Sequence, residues 1–156
     1  MNIYLLTHSR ELGRKTNTGG LVKQILGKQC SIFEWQRKQP NEELLQHIQD
    51  ENVALLYPHA DNQVLATQNN PFDSYILIDA TWQEAQKMYN HSPYLHELPK
   101  VSLKPSSPSI YSLRRNQKET GLCTAECVSV LLNLSGHTKQ ANILDEKLIS
   151  HIKSLH

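Results

Sequence analysis

Residues 75–88 read YILIDATWQEAQKM. Four apolar, strand-favouring residues precede Asp79, Thr81 and Trp82, and a helical pattern follows at once. The order predicts a buried strand that ends at Asp79 and a helix directly after it. In open α/β sheets, ligands bind outside the carboxyl ends of the strands, so this junction is a candidate site. A structural role is the alternative, because Thr81 and Glu84 have the spacing of a capping box and Asp79 could stabilise the same helix start.

Short apolar runs alternate with helical patterns along the chain, which indicates an α/β fold with a mainly parallel sheet and flanking helices. Strands are predicted at residues 3–7, 31–35, 53–57, 75–79 and 101–103. Besides the helix that follows Trp82, helices are predicted from Asn17 or Thr18 to Gly27, after Pro40-Asn41, from Thr124 as N-cap, and along a carboxyl-terminal stripe of Leu144, Leu148, Ile152 and Leu155. With 156 residues, the chain is expected to form one domain over residues 1–156.

Composition excludes several classes of protein. Hydrophobic residues make up 38% and charged residues 20% of the chain, and no apolar run is long enough to span a membrane. The amino terminus lacks the features of a signal peptide, so a cytoplasmic location is expected. The three cysteines form no C-x-x-C pair, which argues against a disulfide framework and a zinc site. We therefore expect no metal.

Charge is distributed in blocks although the net charge is only +1. Residues 10–38 carry seven basic side chains against two acidic ones, and residues 100–119 carry five against one. If the fold brings these blocks together, they form a patch suited to RNA. Two solvated basic faces are the simpler explanation of the charge pattern alone.

Familiar catalytic signatures are absent from the sequence. No G-x-G-x-x-G, P-loop, G-x-S-x-G or H-E-x-x-H motif occurs, which disfavours a dinucleotide site and the common hydrolase mechanisms. Polar residues follow the predicted strands instead, in loops at residues 8–18, 57–63 and 104–121. The last of these is long for a compact domain, and loops of that length are usually functional or disordered.

Several short motifs occur in a fixed order. They are HSRE at 8–11, RKTNTG at 14–19, LYP at 56–58, LIDATW at 77–82, SIYSLR at 109–114 and LCTAECV at 122–128. In this order they resemble the motifs of the DTW domain family, S-adenosylmethionine-dependent 3-amino-3-carboxypropyltransferases that modify uridine in tRNA. Ser9 and Ala80 depart from the family's proline and glycine. The chain also lacks the cysteine-rich segment with which many bacterial members begin.

The resemblance implies a fold, a donor site and an RNA surface. The fold would be similar to SPOUT methyltransferases, with a carboxyl-terminal trefoil knot. The donor S-adenosylmethionine would contact Thr18, Tyr57, Pro58, Thr81, Trp82, Leu103, Tyr111 and Thr124. The tRNA would contact Arg10, Arg14, Lys15, Arg114 and Arg115. The oligomeric state stays open between monomer and homodimer.

The chemistry assigns a role to Asp79. Transfer to N3 of uridine requires removal of the imide proton, and we expect Asp79 to accept that proton as a general base. No metal is required, because the sulfonium is already an activated leaving group. Two alternatives remain: a related aminocarboxypropyl- or methyltransferase acting on ribosomal RNA, and an inactive RNA-binding scaffold of the same fold. For Trp82 the alternative is plain core packing.

Overall fold

A parallel sheet with helices on both faces forms the framework of the protein. The computed structural model describes residues 1–57, 71–103 and 123–155, together with the backbone of residues 64–65. The strands are β1 (Asn2–Thr7), β2 (Cys30–Glu34), β3 (Val53–Leu56), β4 (Val64–Leu65), β5 (Ser74–Asp79) and β6 (Lys100–Ser102). The α-helices are α1 (Gly19–Leu26), α2 (Glu42–Asp50), α3 (Trp82–Asn90), α4 (Pro93–His96), α5 (Thr124–Leu134) and α6 (Thr138–Ser154).

The strand order places a topological switch point inside the sheet, between β1 and β5. The order is β2-β1-β5-β3-β6-β4, and every pairing is parallel. From β1 the chain moves outward to β2, and from β5 it moves outward in the opposite direction to β6. Ligands of open α/β sheets bind at the carboxyl ends of the strands where the winding reverses, which here is between β1 and β5.

Two hydrophobic clusters, one on each face of the sheet, hold the helices in place. Side chains alternate between the faces along β1 and β5, so that Leu5 and Leu77 belong to one cluster and Leu6 and Ile76 to the other. The first cluster includes side chains of α1, α5 and α6, and the second includes side chains of α2, α3 and α4. Because both faces are covered, the central strands are apolar along nearly their whole length.

Local signals in the sequence explain where several helices begin and end. Gly27 follows α1 with a φ of 56°, a conformation that glycine adopts without strain. Asn41 caps α2 by accepting a hydrogen bond from the Leu44 N–H at 3.0 Å. Thr81 and Glu84 form the predicted capping box at the start of α3.

Most sequence predictions of secondary structure are confirmed. The five predicted strands are present with ends that differ by one residue, and the predicted stripe of α6 packs against the first cluster. The short β4 and α4 were not predicted. One prediction is wrong: the N-cap of α5 is Cys123, and Thr124 is the first residue of the helix. Glu126 explains the shift, because its carboxylate accepts a hydrogen bond from the Cys123 N–H at 3.0 Å and so satisfies the group that precedes the helix.

The described residues cover two further expectations, on membrane-spanning helices and on the knot, only in part. Within residues 1–57, 71–103 and 123–155, no helix has the length and apolar character that crossing a bilayer requires. The predicted knot depends on the course of residues 104–122, which lie outside the described residues.

Candidate active site

Asp79 lies at the switch point and is buried there. It is the last residue of β5, pairs with Thr7 of β1, and is only 1% exposed. Its Oδ1 accepts a hydrogen bond from the Thr124 hydroxyl at 2.9 Å, and its Oδ2 accepts one from the Asn17 side-chain amide at 2.8 Å. Three segments that are far apart in sequence therefore meet at this carboxylate.

Gly19 allows this close approach because it has no side chain. A Cβ built on Gly19 would lie 2.7 Å from Oδ2 of Asp79 and 3.1 Å from Oδ1 of Asn17. The Gly19 N–H donates to the same Asn17 oxygen at 2.9 Å, which closes an Asx-turn at the start of α1. The start of α1 is thus shaped to receive the Asp79 carboxylate.

Thr18 connects the start of α1 to the start of α5. It is the N-cap residue of α1 and is fully buried, yet its hydroxyl makes no capping hydrogen bond within that helix. The hydroxyl instead accepts a hydrogen bond from the Ala125 N–H at 3.0 Å. It thereby satisfies one of the four backbone donors that every helix leaves unpaired in its first turn.

A second buried carboxylate, Glu11, lies on the other side of Asn17. Glu11 is 1% exposed, and its Oε2 accepts a hydrogen bond from Arg14 at 2.7 Å. Its Oε1 lies 3.5 Å from the Asn17 amide nitrogen, a longer and weaker contact. The network runs from the half-exposed guanidinium of Arg14 through Glu11 and Asn17 to Asp79.

The loop between β1 and α1 is fixed at several points. Successive turns form where the N–H groups of Glu11, Arg14 and Asn17 donate to backbone carbonyls three residues earlier. At its far end, the His151 ring of α6 meets the carbonyl oxygen of Lys15 at 2.8 Å. This loop therefore holds its polar side chains in a defined arrangement at the carboxyl edge of the sheet.

On the other face of the sheet, α3 contacts the same loop through Glu84. Its carboxylate lies 3.7 Å from Nδ1 of His8 and 3.6 Å from Nη1 of Arg10. Burial alone would raise the pKa of Glu84, but hydrogen bonds from Thr81 and the nearby basic side chains lower it overall. The Arg10 N–H donates a hydrogen bond to Nδ1 of His8 at 3.1 Å, which holds the ring against the loop.

The residues that the sequence analysis predicts to contact S-adenosylmethionine divide between the two faces of the sheet. Thr18, Leu103 and Thr124 are buried on the Asp79 side. Tyr57 is buried in the cluster on the opposite face, where its ring stacks on Tyr89 with centroids 4.2 Å apart. Thr81 and Trp82 begin α3 at the same edge of the sheet. Pro58, Tyr111, Arg114 and Arg115 lie outside the described residues.

Trp82 occupies an intermediate position. It is the half-buried first residue of α3. Among the described residues, neither hydrophobic cluster includes Trp82.

Sequence reasoning assigned no site role to three residues, Glu11, Asn17 and Gly19, although each lies in one of the quoted motifs. Glu11 is one of only two acidic residues in a basic stretch, and the i, i+3 spacing of Glu11 and Arg14 was the available signal. Nothing local to Gly19 indicated that a carboxylate 60 residues further along the chain would lie against it.

The cysteines and the acidic groups limit the chemistry of the site. Burial raises the pKa of the Cys123 thiol to about 12 and that of Cys30 to about 11, so neither is an activated nucleophile. Within the described part of the chain, no cluster of three or more His, Cys, Asp or Glu side chains could hold a metal ion. The groups that converge on Asp79 are suited to hydrogen bonding and proton transfer.

The fold and the site define a class of protein: a parallel α/β chain whose loops converge on a buried carboxylate at the switch point. A family model described as the DTW domain matches residues 1–155, so the chain belongs to the DTW domain family. The resemblance stated from the motifs is thereby confirmed.

Three relatives are each named tRNA-uridine aminocarboxypropyltransferase 2. The Drosophila melanogaster protein is 34% identical over 140 residues, which cover 83% of this chain and 55% of that protein. The Mus musculus protein is 28% identical over 166 aligned residues, and the Macaca fascicularis protein is 24% identical over 162; each alignment covers 99% of this chain and 53% of the relative. The chain spans about half the length of the curated relatives it matches.

Proposed function

We propose that this chain transfers the 3-amino-3-carboxypropyl group of S-adenosylmethionine to N3 of uridine in tRNA. Family membership and the names of the relatives support the reaction class. The structural observation that carries the proposal is the meeting of Asn17, Asp79 and Thr124, which belong to three separate family-like motifs, at one carboxylate. Residues of distant motifs that converge at the switch point of an α/β sheet indicate a reaction site.

Selectivity in this reaction depends on how the donor is oriented. The sulfonium has three electrophilic carbons, and transfer requires that the γ-carbon of the methionine portion lies in line with the attacking nitrogen. A bond forms between N3 and the γ-carbon while the bond from that carbon to sulfur breaks, and the electron pair leaves with methylthioadenosine. The chain's contribution is to hold the two substrates in this geometry.

Thr124 and Asp79 would remove the proton from N3. Asp79 is only 1% exposed, whereas Thr124, whose hydroxyl donates to Asp79, is 8% exposed. In this proposal the Thr124 hydroxyl accepts the N3 proton and passes its own proton to Asp79. The carboxylate remains the final base, and the hydroxyl connects it to the substrate.

The donor would be held by the residues around this pair. Thr18 and Leu103 flank the Asp79 side of the sheet, and Thr81 with Trp82 begins the helix that follows β5. Tyr57, Pro58 and Tyr111, together with Thr124 itself, complete the predicted set. For Tyr57, the stacked position on Tyr89 supports a contribution through its backbone at the end of β3 more than through its ring.

The tRNA would approach over the loop between β1 and α1. Arg10 and Arg14 expose 73% and 46% of their side chains there, and Lys15 is also exposed. Cationic side chains at the rim of a site contact phosphates and position the substrate without reading its sequence. Arg114 and Arg115 are proposed to extend this surface.

The finer features of the fold and setting belong to the same proposal. We propose a SPOUT-like topology with a carboxyl-terminal knot, a single domain over residues 1–156, a cytoplasmic location where tRNA is modified, and catalysis without a metal.

The proton path is tested by substituting its two members. Asp79→Ala should abolish transfer to tRNA while the affinity for S-adenosylmethionine, measured by calorimetric titration, stays within a few-fold. Thr124→Val should lower kcat by about 10²–10⁴-fold, the range that general acid–base groups contribute, and Thr124→Ser should retain most of it. Full activity of Thr124→Val would show that the hydroxyl does not take part in the proton transfer. Full activity of Asp79→Ala would show that Asp79 is not the base.

A further inference from the structure

The side-chain amide of Asn17 lies between the two buried carboxylates of the site. Its nitrogen is 2.8 Å from Oδ2 of Asp79 and 3.5 Å from Oε1 of Glu11. Its oxygen accepts a hydrogen bond from the Gly19 N–H at 2.9 Å, which fixes the orientation of the amide. Both carboxylates are 1% exposed.

A side-chain amide suits this position. A side-chain amide offers two N–H groups and carries no charge, so it can serve both carboxylates at once. A carboxylate in its place would repel both neighbours, and an aliphatic side chain would withdraw a donor from a buried oxygen of Asp79.

We propose that Asn17 is a positioning residue that fixes the rotation of the Asp79 carboxylate, so that its other oxygen remains aligned with the Thr124 hydroxyl. The two oxygens of Asp79 have different partners, Asn17 and Thr124, so a contact that holds one oxygen fixes the other. This inference rests on the proposed function for its kinetic consequence. The contact between Asn17 and Asp79 is itself independent of that function.

Other titratable groups surround this network. In the described part of the chain they include Glu11 and Arg14 of the loop, and His151 of α6 against the same loop. Cys30 of β2 has a pKa that burial and Asp79 raise and the nearby Lys23 lowers, with burial the largest effect. Cys123 and Glu126 lie at the start of α5.

Two substitutions separate positioning from a merely structural contribution. Asn17→Ala removes the amide that donates a hydrogen bond to Asp79, and kcat should fall about 10- to 100-fold. The KM for S-adenosylmethionine should change little, because the substitution displaces the base and leaves the bound S-adenosylmethionine in place. Asn17→Asp keeps the shape but adds a carboxylate beside Asp79. When protonated, that group again donates to Asp79, so the ratio of variant to wild-type kcat should rise as the pH falls.

Asn41→Ala is the matched control. Asn41 is also a half-buried asparagine, and its side chain caps α2, which packs on the face of the sheet opposite Asp79. Its loss should lower the midpoint of thermal unfolding but leave kcat and its pH profile unchanged. Wild-type kcat in Asn17→Ala, or a pH-independent kcat ratio for Asn17→Asp, would overturn the proposal. Should Asn17→Ala fail to fold, the isosteric Asn17→Asp still gives the test.

A double-mutant cycle distinguishes failure of this inference from failure of the proposed function. Denaturant unfolding of Asn17→Ala, Asp79→Asn and the double variant should show non-additive losses of stability, because the two side chains contact each other. Additive losses would contradict the inference. If wild-type protein transfers no group to tRNA, the proposed function fails while the cycle still reports whether Asn17 is coupled to Asp79.

Discussion

Gly19 shows how a single missing side chain shapes the site. Gly19 and Gly20 are adjacent in the first turn of α1, but their surroundings differ completely. A Cβ at Gly19 would meet the Asp79 carboxylate at 2.7 Å, whereas a Cβ at Gly20 would meet nothing within 4 Å. The Asp79 side chain cannot simply move aside, because Asn17 and Thr124 hold it from two directions.

The pair of glycines provides a matched test. Gly19→Ala should destabilise the fold by about 1–3 kcal/mol through overpacking and should displace Asp79 enough to lower kcat. Gly20→Ala should stabilise the fold by about 0.4–1 kcal/mol, because alanine restricts the unfolded chain and favours a helix. Denaturant unfolding measures both changes. Equal effects of the two substitutions would show that Gly19 makes no close approach to the carboxylate.

At the scale of the elements, two helices begin close together, and a side chain at the start of α1 caps α5. Thr18 is the N-cap residue of α1 by position, but its hydroxyl accepts from the second residue of α5. Across 107 residues of sequence this hydrogen bond joins the β1–α1 loop to the carboxyl-terminal helices. The contact orients α5, and with it Thr124, relative to Asp79.

Loss of this hydroxyl should have a measurable cost. Thr18→Val keeps the branched shape but leaves the buried Ala125 N–H without its acceptor, which should cost about 1–3 kcal/mol of unfolding free energy. Thr18→Ser restores an acceptor and should recover most of that loss. Chemical denaturation of the purified variants gives the comparison. If the valine variant proves as stable as the serine variant, the hydrogen bond from Ala125 to Thr18 does not stabilise the fold.

The elements also show which structure the sequence could predict. Strands β1 and β5 were predictable because each is a continuous apolar run, and the start of α3 was predictable because both members of its capping box lie within four residues. The start of α5 was not, because threonine is a stronger capping residue than cysteine by type, and only the carboxylate of Glu126 reverses the preference. The four-residue α4 is too short to show a helical period.

At the scale of the whole molecule, a second polar cluster lies at the amino edge of the sheet, opposite the candidate site. The Glu51 carboxylate there accepts hydrogen bonds from Tyr4 of β1 at 2.7 Å and Ser74 of β5 at 2.5 Å, and it meets the His47 ring of α2 at 2.6 Å. Glu51 thus ties the two central strands to α2. Burial alone would raise its pKa, but these hydrogen bonds lower it overall below the ordinary value of 4.5.

The lowered pKa gives the acid stability of the protein a predictable sign. The unfolded chain takes up a proton on Glu51 at a higher pH than the folded chain does, so the stabilisation is present above about pH 4.5 and is lost as the pH falls further. Glu51→Gln should be less stable at neutral pH and should lose less stability between neutral and acid pH. Thermal unfolding across this range measures the difference.

A surface carboxylate serves as the control for this pH effect. Glu146 is exposed on α6, and Glu146→Gln should follow the wild-type acid curve. A Glu51→Gln curve that runs parallel to wild type at all pH values would show that Glu51 does not contribute to acid unfolding.

The composition of the candidate active site could be predicted only in part from the sequence. The motifs pointed to Asp79, Thr18 and Thr124 at strand and helix ends, and the structure brings these three together. The bridging position of Asn17 depends on its contact with Asp79, more than 60 residues away. The position of Glu11 depends on turns of the β1–α1 loop, which have no regular period. Such contacts leave no local pattern of hydrophobicity or capping.

The central claim, transfer of the aminocarboxypropyl group to a tRNA uridine at the Asp79 site, is tested most directly by nucleoside mass spectrometry. Unmodified tRNA would be incubated with S-adenosylmethionine and either the wild-type protein or Asp79→Ala. We expect a uridine that carries the mass of the aminocarboxypropyl group with the wild-type protein, and unmodified uridine with the variant. A methylated uridine, an unmodified tRNA with the wild-type protein, or equal product from both proteins would contradict the account.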